Sequence, residues 1–258
     1  MGTIASIFHE AVYQPLYNIL FFLYNILPWG DFGIAIIAVT ILIKMVFIPL
    51  SKKQIQSQKK MQDIQPELKK IQKKYKDNKE KQTKAVMAFY KENKVNPFSG
   101  CLPMIIQIIF LIAIYRIIIN ISDAGLIANG EDLYSFVKNP GEINHTFLGI
   151  VDLLKPSIPI AILAAISQFW QTKLIMAKST KKKDEKNKEN KKKEKDEKPD
   201  QPDFAQIMNK QMLILGPMLT LFIGVKFAAG LSIYWLVSTL FAVFQQLYIF
   251  KKDKKTDK

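Results

Sequence analysis

Phe32–Leu50 reads FGIAIIAVTILIKMVFIPL, an apolar run broken by one charge, Lys44. At a rise of about 1.5 Å per residue the run extends about 28 Å, enough to cross a bilayer's hydrocarbon core. A cation near the centre of such a segment costs about 2.5–3.5 kcal/mol on insertion scales, so it needs a polar destination. Lys44 stands about 9 Å of helix from Leu50, inside one leaflet. Two destinations are open to it. Its long stem can lift the ammonium to the headgroups, or the side chain can face a wet cavity between helices. Thr40, four residues earlier on the same helix face, extends a polar stripe inward.

The rest of the chain alternates in the same way. Of its 258 residues 49% are hydrophobic and 23% charged, and the lysines gather in blocks between apolar runs. That segregation fits one set of membrane helices with polar connections better than two soluble domains. A net charge of +15 raises nucleic acid as a partner, but charge names a partner only once its location is known. The single cysteine, Cys101, rules out an internal disulfide framework, and two isolated histidines, His9 and His145, make no metal site, so no cofactor is expected. MGTIASIFHE has no basic n-region, so no cleaved signal peptide is expected.

Residues 1–31 are read as an outer-face amphipathic segment. YQPLYNILFFLYNILP at 13–28 is apolar but interrupted by Asn18 and Asn25 and ringed by Tyr13, Tyr17, Tyr24 and Trp29. An interfacial helix is favoured over a separate span. Residues 51–96 then change character. Met61, Ile64, Leu68, Ile71 and Tyr75 recur at 3-4-3-4 spacing, the seam of a coiled-coil-like helix that Pro66 is expected to kink or restart. After a turn at Asp77–Asn78, Lys79–Asn93 carries Val86, Phe89 and Tyr90 on one side, which predicts a basic helical hairpin in water.

Further spans are predicted at 103–121, 156–177, 207–225 and 231–250. The second contains Gln107 and Arg116, the third carries Gln168, Trp170, Gln171 and Thr172 near its exit, and the fourth is bent at Gly216–Pro217. Between 122 and 155 lies a polar loop in which Phe147–Leu154 is read as a short interfacial helix. Residues 178–203 are Lys/Glu/Asp/Asn-rich and have too little apolar surface to fold, so they are read as a disordered loop. A basic tail, 251–258, closes the chain. The predicted class is an all-α integral membrane protein: a five-helix transmembrane core at 32–250, a cytoplasmic helical hairpin and an N-terminal interfacial helix. Hairpin, loop and tail hold nearly all the lysines, and five spans place these three on one side. The positive-inside rule then predicts a plasma-membrane protein with its N-terminus outside and its C-terminus in the cytoplasm. Lys44 falls in the inner leaflet.

TILIKMVFIPLSKKQ, FYKENKVNPFSGCLPMIIQ and GLSIYWLVSTLFAVFQQ, in this order and at this spacing, resemble the YidC/Oxa/Alb family of membrane protein insertases. The resemblance covers Phe32 to about Phe250, without the large periplasmic domain of Gram-negative members. NPxxGCxPxxIQ at Asn96–Gln107 is its most specific part. It implies a hydrophilic groove open to the cytoplasm and lipid and closed to the outside, with Lys44 in the place of the family's usual arginine. That departure matters, because arginine stays charged almost anywhere and offers a bidentate fork, whereas lysine is a point charge that can lose its proton. Ala228–Ala229 also stand where the family often has Pro-Ser.

The function so implied is an insertase and chaperone, not an enzyme. It moves hydrophilic tails of nascent membrane proteins across the bilayer and releases their apolar helices into lipid. Thr40, Gln107, Gln168 and Gln171 are candidates to share the groove with Lys44, and the resemblance marks Tyr234 and Trp235 as the slide for the departing helix. Nascent membrane proteins and the lipid bilayer are the implied partners. The Sec translocon is a further candidate, as is a ribosome met by the basic hairpin, loop and tail. The alternative is a small channel or transporter built around an intramembrane lysine. Intramembrane enzymes are disfavoured, since the chain has no HExxH, no GxSxG and no pair of intramembrane acids.

Overall fold

A computed structural model describes residues 2–27, 30–96, 102–190 and 204–256. They fall into two compact units. One is drawn from the stretches 1–46, 107–174 and 200–258, the other from 47–106 and 175–199.

The first unit opens with helix α1 (Thr3–Phe8), which passes through a wider π turn at His9–Tyr13 into α2 (Gln14–Ile26). His9, Tyr13, Tyr17 and Phe21 recur every four residues and therefore line one face, the first three rings stacked with centroids 5.1 and 5.7 Å apart and Phe21 edge-on to Tyr17 at 4.6 Å. The asparagines that interrupt this segment are its anchors. Asn18 donates to the carbonyl of Asp132 at 2.8 Å and accepts from the amide of Tyr134 at 2.6 Å. Asn25 donates to the carbonyl of Lys138. The Arg116 guanidinium lies 5.3 Å from the Phe8 ring centroid, a cation–π contact that binds the segment to helix α6 (Leu102–Asp123).

Helix α3 (Phe32–Val46) ends earlier than the apolar run suggests. Phe47 leaves the helix, and Pro49 stands in the first turn of α4 (Ile48–Lys74). A proline has no amide hydrogen to continue the preceding ladder but fits the opening turn of a new one. The last residues of the expected first span, 48–50, thus belong to the next helix.

The loop after α6 departs from expectation too. Where an interfacial helix is predicted, Thr146–Phe147 (β1) pairs antiparallel with Val151–Asp152 (β2). Leu148 and Gly149, both at positive φ, turn the chain between them.

Helix α7 (Ile158–Asn190) continues well into the lysine-rich stretch read as disordered. Extending an existing helix adds one hydrogen bond per residue fixed and avoids the costly nucleus, so a sequence unable to start a helix can prolong one. The remainder of that stretch, 191–203, lies outside the described residues, as do Trp29 and residues 97–101 of the NPxxGC motif.

Helices α8 (Phe204–Lys226) and α9 (Ala229–Thr256) complete the unit, with Pro217 inside α8. Gly224 of α8 lies so close to Ala161 of α7 that an added Cβ would stand 2.6 Å from the alanine's methyl and 3.1 Å from Ser232 Oγ on α9. Small residues permit this close approach. Gly224→Ala is expected to destabilise the protein by about 1–3 kcal/mol, read as a lower midpoint of thermal unfolding in detergent; an unchanged midpoint would contradict the packing.

The unit is buried and apolar within, yet its outward helix faces are apolar as well. Ile108, Ile109 and Ile112 of α6, and Ile162, Leu163 and Ile166 of α7, are all exposed. So large an unpartnered apolar surface belongs in lipid. Among the described residues Met104–Asp123 and Ala229–Ile249 are each long and apolar enough to cross a membrane, and Phe32–Val46 with Ile48–Met61 makes a broken third candidate. The protein is an all-α membrane protein.

The second unit is built on the hairpin of α4 with α5 (Lys79–Glu92). The seam residues Met61, Ile64, Leu68 and Ile71 are all at least partly buried, as are Val86, Phe89 and Tyr90 on α5. Asn78 caps α5 by accepting from the amide of Lys81 at 2.9 Å. Helix α4 runs on through Pro66. Burial pushes the Tyr90 hydroxyl above its ordinary pKa.

Candidate functional site

Lys44 sits on the last turn of α3, half-buried, and donates to Gln107 Oε1 of α6 at 3.0 Å. The same oxygen accepts from Ser238 Oγ of α9 at 2.6 Å. An ammonium can only donate, so the Gln107 amide must turn its carbonyl toward it. No carboxylate among the described residues pairs with Lys44. One neutral oxygen is thus the recorded partner of a full positive charge.

A second glutamine is held in the same manner one residue along α9. Gln168 Oε1 of α7 accepts from Trp235 Nε1 and from Thr239 Oγ1, each at 3.3 Å. Indole N–H can only donate, which fixes this amide's orientation as well. Helix α9 is therefore the polar spine of the site. Gln246, two turns beyond Ser238 on the same face, is buried, and its Oε1 meets no protein donor among the described residues.

The expected site residues divide. Lys44 and Gln107 meet directly, and Gln168 meets Trp235. Gln171 is half-buried one turn further on and takes part in neither cluster. Thr40 is fully buried, and its hydroxyl donates to the carbonyl of Ile36 at 2.6 Å. It lies inside the packing beneath Lys44, with its hydrogen bond spent on its own helix. Tyr234 is 2% exposed and belongs to the core, so Trp235 alone of the slide pair reaches the surface. Ser238, Thr239 and Gln246 are not among the residues that the sequence singles out. Their signal was present: with Trp235 they repeat at helical spacing through an apolar helix.

The two ends of the helices differ. Toward the start of α3 and α9 and the end of α6, the interior is filled by Phe32, Ala35, Ile36, Ile114, Ile117, Ile118, Leu231 and Ile233, each no more than 4% exposed. The loop then stitches that end together. Ala229 donates to the carbonyl of Lys155 at 2.8 Å and Gly230 to that of Leu153 at 3.0 Å. Lys44, Gln107, Gln168, Ser238 and Thr239 gather toward the other end, whereas among the described residues of the apolar end the buried Asp31 carboxylate is taken up by backbone amides and Ser232 is a lone buried hydroxyl.

The family model of the 60Kd inner membrane protein matches residues 22–256. A protein of Fusobacterium nucleatum named membrane protein insertase YidC is 32% identical over 244 residues, which is 93% of this chain and 98% of that protein. Proteins of the same name from Citrifermentans bemidjiense and Streptomyces avermitilis are 33% and 27% identical and match 92% and 98% of this chain. The chain spans 36% of the length of the Citrifermentans protein and 60% of the Streptomyces one. With the family match over nearly the whole chain and a relative of equal extent, this protein belongs to the YidC/Oxa/Alb family.

Proposed function

We propose that this chain is a membrane protein insertase, which moves short hydrophilic tails of nascent membrane proteins across the bilayer and releases their helices into lipid. The observation that carries the reading is Lys44. It is a half-buried ammonium held by a neutral amide oxygen, at the polar end of a unit whose other end is plugged. A charge so partnered retains most of its attraction for an incoming carboxylate. Taking a polar tail out of water is costly because its backbone and charges lose hydration. A hydrated recess reaching partway through the bilayer shortens the dry path. Once the tail has entered, burial of the substrate's apolar segment in lipid drives the rest.

The lysine distribution supports an N-terminus outside and a C-terminus in the cytoplasm, which puts Lys44, Gln107, Gln168 and Ser238 in the inner leaflet. Under that orientation the plug faces outward, a layout suited to one-way entry. Trp235 stands at the edge of the recess, where it can serve as the slide, and the basic hairpin is the candidate contact for the Sec translocon or a ribosome. A channel or transporter would need a polar route through both leaflets, and the apolar plug argues against one.

The test is to supply this chain to cells depleted of their own insertase and to score membrane integration of single-span reporters. Restored integration is expected; a chain that reaches the membrane yet restores none would end the proposal.

A further inference from the structure

We propose that Ser238 is the positioning residue that lets Lys44 transfer from Gln107 to a carboxylate on the substrate, an inference that rests on the insertase reading above. At rest Gln107 Oε1 takes two hydrogen bonds, 3.0 Å from Lys44 Nζ and 2.6 Å from Ser238 Oγ. To engage a carboxylate fully the ammonium must turn its donors away from that oxygen. Leaving a half-buried amide oxygen without any donor carries a penalty, and that penalty would oppose the transfer. Ser238, 1% exposed on α9, keeps the oxygen satisfied after Lys44 has gone. Its hydroxyl touches no substrate in this arrangement. It acts by making the lysine's resting bond cheap to break.

Neither neighbour can replace it. Thr239, the adjacent hydroxyl, is committed to Gln168 Oε1 together with Trp235 Nε1. Thr40, the hydroxyl nearest Lys44 along α3, donates to its own helix. The two glutamines also differ in a telling way. Gln168 takes both of its bonds from a single helix, α9, whereas Gln107 takes one from α9 and one from the charge on α3. Only at Gln107 can one donor leave while the other stays on a separate element.

The experiment uses the full-length chain in insertase-depleted cells, with two single-span reporters that differ only in whether the translocated tail carries acids. Ser238→Ala is expected to lower integration of the acidic reporter about threefold to tenfold, part of the cost of an unsatisfied, half-buried acceptor. It should leave the neutral-tail reporter near the parent level, and Ser238→Thr, which keeps a hydroxyl, should recover most of the loss. With Gln107→Leu as background there is no oxygen to satisfy, so adding Ser238→Ala should cost nothing more. A purely structural role for Ser238 predicts equal loss for both reporters and an additive loss with Gln107→Leu; either result overturns the inference. If Lys44→Ala is impaired on the acidic reporter and Ser238→Ala is not, the transfer is wrong and the Lys44 reading stands. If Lys44→Ala is also unimpaired, the charge reading itself falls.

Discussion

Lys44→Ala is expected to lower integration of an acidic-tail reporter about tenfold or more, while Lys44→Arg keeps most of it. A carboxylate drawn within about 4 Å of an ammonium gains about 1 kcal/mol in bulk water and about 4 kcal/mol at an effective dielectric of 20. Half of the larger figure already exceeds the 1.4 kcal/mol or so that corresponds to a factor of ten. Arginine restores the charge, and its longer reach suits the half-buried position. Reporters with neutral tails should respond far less, because they have no charge to attract. Pulse-labelled integration in insertase-depleted cells measures this. Equal rescue by Lys44→Ala and the parent on the acidic reporter would remove electrostatics from the mechanism and leave only a hydrated recess.

The second large effect is expected at the opposite end of the same helix. Asp31 is 6% exposed, and its carboxylate ties two parts of the chain together. One oxygen accepts from the amides of Gly33 at 2.7 Å and Ile34 at 3.0 Å, capping α3, while the other accepts from the amide of Leu148 at 2.7 Å. A negative charge at a helix N-terminus is favoured by the partial charges of the free amides there. Asp31→Ala removes the cap and leaves buried amides without an acceptor, costing about 2–4 kcal/mol. Asp31→Asn retains oxygen and shape and should cost less. Thermal unfolding in detergent gives the stability difference, and limited proteolysis reports on the loop around Leu148. If the alanine variant unfolds with the parent and its loop is cut no faster, Asp31 does not hold that end closed.

These two residues sit on the plugged and the polar ends of one short helix, and the contrast between the ends is what the proposed activity uses. Asp31 is satisfied three times over by backbone amides and fixes structure. Lys44 shares one neutral oxygen and is left able to attract. In both cases the energetics follow from how fully the charge is compensated.

Much of this was determined by the order of residues alone. Apolar runs long enough for a bilayer named the class, because hydrocarbon tolerates a backbone only when helices satisfy it internally. The 3-4-3-4 seam and the Asp77–Asn78 turn announced the hairpin, since both are local patterns read within a few residues. Lys44 was conspicuous as a lone cation in an apolar run. What periodicity cannot supply is the partner. Gln107 stands 63 residues from Lys44 and 131 from Ser238, and which helix meets which is a matter of packing. Thr40 shares a face with Lys44 in sequence, yet the packing buries it, with its hydroxyl donating to the carbonyl of Ile36. Tyr234 and Trp235 adjoin in sequence, but successive helical positions point about 100° apart, so one entered the core and the other stayed partly exposed beside Gln168. The tertiary structure alone decided that the acceptor facing Lys44 is neutral and shared, because a hydrogen bond depends on which helices pack side by side and not on their distance along the chain.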